Sequence, residues 1–348
     1  MKTLSVHSNT NTLAEDSPGA ALDGNQLRSA IARLIGTDLA HVNTMLDKQL
    51  GSPHPYMANV LNHAGQFRGK QIRPVLLLLC RKALGQETCP TSHTMATVVE
   101  MIHTATLVHD DIIDDASTRR HVGTVNSVWS SETSVLLGDY LFSRAFRLAA
   151  STGDARACEL IGHATDLTCA GELHQIAARI SRSRSERDYL RIIRGKTGQL
   201  FGLSFRLGAR AAAADTPLQT QLQIAGIELG MAFQIADDIL DLTGQQEKTG
   251  KDTGNDLANA RLTLPLLRAL QSASPTERNR IEALLQTPDT ESHFELCKHP
   301  DTHRGINSSH NTASRFVDSC LTRIKYMPAS RERDLLAAIA RFAIQRQL

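Results

Sequence analysis

Apolar positions recur along most of the chain at steps of three and four. Leu27, Ile31, Leu34, Ile35, Leu39, Val42 and Leu46 form the first such series, which predicts a core-facing helix closed by Pro53 and Pro55. Between Glu100 and Asp115, Met101, Ala105, Val108 and Ile112 keep the same period and predict an amphipathic helix with one buried stripe. Further helical stretches begin at Gly138-Asp139-Tyr140, run from Gly171 to Gln175 and from Tyr189 to Ser204, surround Gly230 to Asp241, follow Arg261-Leu262-Thr263-Leu264-Pro265, and end with Glu332 to Arg346. Nothing reads as a strand of any length. The expected architecture is all-α, one large helical bundle over residues 25–348 with its site in a central cavity. Residues 1–24, rich in Ser, Thr, Asn and Asp, read as a disordered tail. The polar, histidine-rich segment from Thr287 to Ser314 reads as a loop with little structure of its own.

The chemistry gathers on the second series. His103, Thr106, Asp110 and Asp114 stack on one side of that helix, with Asp111 beside them. Asp110, Asp111, Asp114 and Asp115 repel one another, by roughly 0.2–0.5 kcal/mol for each pair one turn apart, so a cation belongs there. Hard oxygen ligands one turn apart suit Mg²⁺, which completes its shell with water and substrate phosphate oxygens. A solvated acidic helix end is the bland reading of one such cluster. The second copy changes it: Asp237, Asp238 and Asp241 repeat the spacing, and Gln234 shares their helix face. Two such clusters predict two helices facing each other across a metal-filled cavity.

Composition narrows the function class. A net charge of +2, a pI near 8.2 and no basic stripe with interleaved aromatics argue against nucleic acid as a partner. The apolar runs, such as Val75 to Cys80, are far too short to span a bilayer. Cys80, Cys89, Cys158, Cys169, Cys297 and Cys320 form no C-x-x-C pair and follow no secretory segment, so they read as reduced thiols of a cytoplasmic protein. Cys297, His299, His303 and His310 fit no standard zinc spacing. Scattered cations remain: Arg68, Lys70 and Arg73 around Gly69, the pair Arg119-Arg120, Lys196 beside Thr197, and Lys251 in the polar loop Thr249 to Gly254. Each alone reads as a solvated side chain or an ion-pair partner. Arginine pairs equally suit phosphate oxygens.

In order along the chain, Gly69-Lys70-x-x-Arg73-Pro74, Glu100-x-x-His103, the first aspartate motif, Arg119-Arg120, Gly138-Asp139, Lys196-Thr197, Phe233-Gln234 with the second aspartate motif, Gly250-Lys251 and Thr263-Leu264-Pro265 resemble the trans-isoprenyl diphosphate synthases, or polyprenyl synthetases. The resemblance spans Leu27 to Arg346 and implies the isoprenoid synthase bundle. It also implies that Asp110 and Asp114 bind two Mg²⁺ ions and Asp237 a third, with Asp111, Asp238, Asp241 and Lys196 completing the catalytic set. Arg119, Lys196, Thr197, Phe233, Gln234 and Lys251 would line the allylic diphosphate site, and Lys70, Arg73, His103 and Arg120 would hold isopentenyl diphosphate. The implied reaction is head-to-tail condensation of the two. A homodimer and a peripheral membrane contact for product release are implied with it.

Product length would depend on what stands below the first motif. Ala105 and Thr106 are small where short-chain members of the family carry an aromatic residue, so the tunnel is expected to reach Met101 and Ile102 and to favour a long product. Farnesyl or geranylgeranyl diphosphate, and a partner-dependent binding subunit, are the alternatives. The chain departs from the family pattern at Arg68, Gln71, His121 and Ala260-Arg261-Leu262. His121 stands where the family has Gly, whose backbone angles His reaches only with strain.

Overall fold

A computed structural model of the chain describes residues 22–181, 183–243, 261–286 and 290–345. Helix α1 (Gly24–Gln49) opens with Asp23, whose carboxylate accepts from the backbone N–H groups of Asn25 and Gln26 while Gln26 reaches back to Asp23 N. This reciprocal cap fixes the helix start. The helix start thus lies inside the expected tail of residues 1–24, because Asp23 caps the helix.

Helices α2 (Pro55–Gly65), α3 (Ile72–Ala83) and α4 (Pro90–Ile113) follow, each of α2 and α4 starting on a proline whose missing N–H costs nothing at a helix start. A hairpin of two-residue strands, Thr118–Arg119 and Val122–Gly123, leads into the short α5 (Val125–Val128) and then α6 (Ser131–Ala150). Next come α7 (Ala155–Ser181), α8 (Glu186–Ile193), a π turn (Arg194–Gly198), α9 (Gln199–Ala211) and α10 (Thr216–Thr243). The C-terminal part holds α11 (Leu264–Ser272), α12 (Pro275–Gln286), α13 (Thr290–Lys298), α14 (Pro300–Ile324) and α15 (Arg331–Gln345). Among the described residues the hairpin is the only strand pairing.

The core lies where α9 and α10 pack against each other and are covered by α3, α4, α14 and α15. Leu76 to Leu79 of α3, all buried on every side, meet Phe201 and Phe205 of α9 there. An unbroken apolar run is what a helix enclosed all round requires.

The loop expected from Thr287 to Ser314 is a misreading: past residue 289 the chain is helical in α13 and α14. The helical period is present, but in small and polar side chains. Asp301, Thr302, Gly305, Ser309, Thr312 and Ala313 make up the buried face of the first half of α14. A Cβ at Gly305 would collide with the carbonyl of Pro265, so α14 lies directly on α11 and a large apolar residue has no room there. His299 caps α14 by accepting from Asp301 N at 3.2 Å, and its other ring nitrogen meets Glu277 at 2.7 Å.

No helix is long and apolar enough to cross a membrane among the described residues.

Candidate active site

The first aspartate motif closes α4. Asp114 is the C-cap and Asp115 follows at φ 48°. Negative charge at a helix C-terminus opposes the macrodipole, and the last turn of α4 holds no basic residue of its own. The countercharge arrives from elsewhere. Arg119, across the hairpin, makes a two-pronged pair with buried Asp111, from Nε at 2.9 and 3.0 Å and from Nη2 at 2.7 Å. Lys196 lies 3.5 Å from Asp110, and Arg261 donates to Asp114. Arg119 is thus an ion-pair partner of the acidic cluster, and Asp111 orients that arginine.

Lys196 reaches Asp110 from the π turn. It also pairs with Glu172 of α7 at 2.5 Å. Two glycines permit this: a Cβ on Gly171 would sit 2.5 Å from Lys196 N, and Gly195 lies 2.8 Å from Gly171 Cα by the same construction. The backbones of α7 and the π turn are in contact, so the lysine stem can turn toward both carboxylates. Burial raises the pKa of Asp110, with Lys196 opposing and Asp114 adding to it. Glu172 is likewise raised by burial. Burial works to lower Lys196, yet Asp110 and Glu172 outweigh it and hold the ammonium charged.

The neighbouring residue serves the second motif. Thr197 donates to Gln234 Oε1 at 2.8 Å, and Gln234 Nε2 donates to Asp238 Oδ1 at 2.8 Å. Tyr189 donates to the other oxygen of Asp238 at 2.6 Å. Asp238, 5% exposed, is thus held through both carboxylate oxygens, while Asp237 and Asp241 are half-buried on the same helix. A cleft of about 450 Å³ joins these parts, lined by Lys196, Thr197, Gln234, Asp238 and Arg261 and by apolar Ile192, Ile193, Leu262, Leu267 and Leu285.

A second group of cations surrounds Glu100. Arg73, 9% exposed, lies 4.9 Å above the Phe201 ring, whose centroid is 5.6 Å from that of Phe233. Burial lowers Arg73 to about 10, with Glu100 opposing. Burial raises Glu100, while Arg73, Arg120 and Arg68 oppose. His103 is pushed well below its usual range by burial and then by Arg73, Arg119 and Arg120. Arg120 donates to the carbonyl of Phe67 at 2.8 Å, and Lys70 is exposed beside it in sequence at Gly69. Three guanidinium groups around a neutral imidazole and a reluctant carboxylate form a pocket short of one anion.

Below the first motif, Ala105 is fully buried against the cluster of Leu50, Val60, Leu61, Ala64, Phe67, Leu137 and Leu141. Thr106 turns its hydroxyl back to His103 O at 2.8 Å. Met101 and Ile102 are 1% and 0% exposed, and the cavity touching Met101 holds about 10 Å³. Space as far as Met101 therefore exists only if the side chains around it part. Lys251 lies outside the described residues. Tyr189, Glu172 and Arg261 join the site without having been assigned to it from the sequence; the one available signal was the position of Tyr189 a few residues before Lys196.

The carboxylate oxygens of Asp110 and Asp114, each held by a cation, fit a hard metal ion, and half-buried Asp237 offers another such donor.

A profile of the polyprenyl synthetase family matches residues 54–298. The heptaprenyl diphosphate synthase component 2 of Geobacillus stearothermophilus is 35% identical over 89% of this chain and 96% of its own length. The octaprenyl diphosphate synthase of Haemophilus influenzae is 32% identical over 91% of this chain and 96% of its own. Among solved structures, a polyprenyl synthase from Caulobacter crescentus in complex with calcium and isoprenyl diphosphate superposes with a TM-score of 0.85 at 31% identity, covering 92% of this chain and 98% of that one.

Proposed function

Because the chain belongs to the polyprenyl synthetase family, we propose that it is a prenyltransferase condensing isopentenyl diphosphate with an allylic prenyl diphosphate into a long-chain polyprenyl diphosphate, of the length used for a quinone side chain. The observation that carries this reading is the π turn, whose adjacent Lys196 and Thr197 engage the first and the second aspartate motif respectively.

Asp110, Asp114 and Asp237 would hold Mg²⁺. When bound, the metal supplies Lewis-acid stabilisation of the departing diphosphate. The protein's own residues do the rest. Lys196 and Arg261, released from Asp110 and Asp114, face the allylic diphosphate and stabilise the charge that develops as its C–O bond breaks. Gln234, steadied by Thr197, orients that end. Arg73, Arg120, Lys70 and His103 hold the second diphosphate in place, so the double bond of isopentenyl diphosphate attacks the allylic carbon from a fixed direction. A proton is then lost to the released diphosphate. Burial of the polar groups behind the cleft excludes water from the carbocation.

The names of the heptaprenyl, octaprenyl and decaprenyl relatives support a long product, as do the small side chains of Ala105 and Thr106. A homodimer is supported by apolar Val135, Leu136 and Phe146, exposed on α6. We read the chain as cytoplasmic, with all six cysteines free, touching a membrane only peripherally to release product. A second reading has a specific observation in its favour: one relative is called component 2, which favours a subunit that needs a partner.

Incubation of the purified chain with farnesyl diphosphate, isopentenyl diphosphate and Mg²⁺, with a chelator control and mass spectrometry of the products, separates these. A metal-dependent ladder ending in a long prenyl diphosphate supports the leading reading. A ladder ending at fifteen or twenty carbons moves the assignment to a short-chain synthase, and no elongation moves it to the partner-dependent subunit.

A further inference from the structure

On the far side of α4 from its aspartates, Asp38 and His41 of α1 meet His93 in the first turn of α4. One donor atom from each residue lies within 4.8 Å of the others. Asp38 Oδ1 is 2.9 Å from His93 Nε2, and the rings of His41 and His93 stack with centroids 5.1 Å apart. Asp38 and His41, three apart, share a helix face, and α1 bends just ahead of them at Ile35 (φ −139°). The side chains of Asp38 and His93 are 13% and 12% exposed, whereas His41 is at the surface. The hydroxyl of Thr88 also donates to Asp38 Oδ1. At 1.5 Å per residue, the distance along α4 from His93 to Asp110 is about 25 Å, so this cluster is separate from the catalytic carboxylates.

We propose that Asp38, His41 and His93 form a transition-metal site, filled by Zn²⁺, that pins α1 to the start of α4. Two imidazoles and a carboxylate are donors for zinc and its neighbours, whereas Mg²⁺ and Ca²⁺ take oxygen. With Zn–N and Zn–O bonds near 2.0–2.1 Å, tetrahedral donors stand about 3.3 Å apart. The Asp38–His93 pair is already inside that distance. Only His41 has to close in, by roughly 1.5 Å from the longest gap compatible with the cluster, and an exposed side chain can do so by changing rotamer. Thr88 fixes the carboxylate by donating to the same oxygen, Oδ1, that meets His93, as ligand-orienting groups do at metal sites. Three protein ligands leave a fourth position for water.

The test uses the full chain, stripped of metal and returned to millimolar Mg²⁺ so that the aspartate motifs are occupied, then titrated with ZnCl₂ against a chromophoric chelator. Wild type should bind one tight equivalent more than His41→Ala, or bind it at least roughly tenfold more tightly, with the melting temperature rising on zinc addition in wild type only. X-ray absorption at the zinc edge should show imidazole scattering that His41→Ala reduces. His41 is exposed, so this variant tests the site without disturbing the fold, and prenyl-transfer activity should be unchanged in it. Equal stoichiometry and affinity in wild type and His41→Ala would overturn the proposal, as would zinc that excess Mg²⁺ removes completely.

Discussion

Gly171 of α7 and Lys196 of the π turn touch through their backbones, leaving 2.5 Å between the lysine nitrogen and the place where a Cβ on residue 171 would be. A side chain there drives the turn away from α7 and takes Lys196 Nζ off Asp110 and Glu172. Gly171→Ala should therefore lower kcat by about 100-fold, the scale of a misplacement near 1 Å, while the chain still folds. Steady-state kinetics with circular dichroism as a folding control would check it.

Tyr189 gives the other motif its rigidity. Tyr189→Phe removes one hydrogen-bond donor from a buried carboxylate, Asp238, and hydrogen bonds to charged groups are worth about 1.5–3 kcal/mol. Because Asp238 in turn orients Gln234, the variant should also require more Mg²⁺ for half-maximal rate. A metal titration of the activity, set beside a urea melt, would show both effects; a change in stability alone would leave Tyr189 a purely structural residue.

His103 links substrate binding to protons. Its pKa is held well below the usual value by burial and by Arg73, Arg119 and Arg120, so the free protein holds a neutral imidazole at pH 7. A diphosphate among those arginines offsets their charge and raises the pKa, and binding takes up a proton. Calorimetric titration with isopentenyl diphosphate at pH 7 should give heats that differ between buffers of low and high ionisation enthalpy, with the difference reduced in His103→Gln. The same depression makes His103 bind protons more readily in the unfolded chain. Its contribution to stability is complete above about pH 6.5 and is lost as pH falls through the depressed value.

Ala105→Phe tests the product-length argument. The added ring enters the cluster of Leu61, Phe67, Leu137 and Leu141, where overpacking costs typically about 1–3 kcal/mol. A shorter terminal product by mass spectrometry is expected. An unchanged length in a folded variant would mean that the chain grows along another wall.

The hairpin carries strain that one substitution should relieve. Arg120 and His121 have φ of 53° and 64°, the left-handed pair of a tight turn that favours glycine. His121→Gly should raise stability by about 1 kcal/mol, the scale of a left-handed non-glycine residue, read as a higher melting temperature. Here the sequence pointed to the right residue: a histidine in a glycine position announced the positive φ.

What else was legible follows from where the information lay. The helices carrying large apolar stripes, α1, α4 and α10, were visible because burial there is achieved by hydrophobic volume. α14 was not, because its contact with α11 excludes volume and its buried face is written in Gly, Ser and Thr. The two aspartate motifs were visible by their repeat. Which cation each aspartate meets was not, since the partners of Asp111 and Asp110 come from residues 119 and 196. Arg261 stands out in the sequence only as a departure from the family pattern, and its partner Asp114 is 147 positions away, a pairing that only the folded chain defines.

The carboxylates at the end of α4 carry internal counterions, Lys196 on Asp110 and Arg261 on Asp114. If Asp110 and Asp114 hold the metal as proposed, a metal ion arriving there would set free two cations for a diphosphate, and a diphosphate arriving first would draw the same two cations off the metal's ligands. Each binding event prepares the other's site, and by linkage the enhancement is equal in both directions. Metal and allylic diphosphate should therefore enter as a coupled pair, and the protein should hold neither firmly alone.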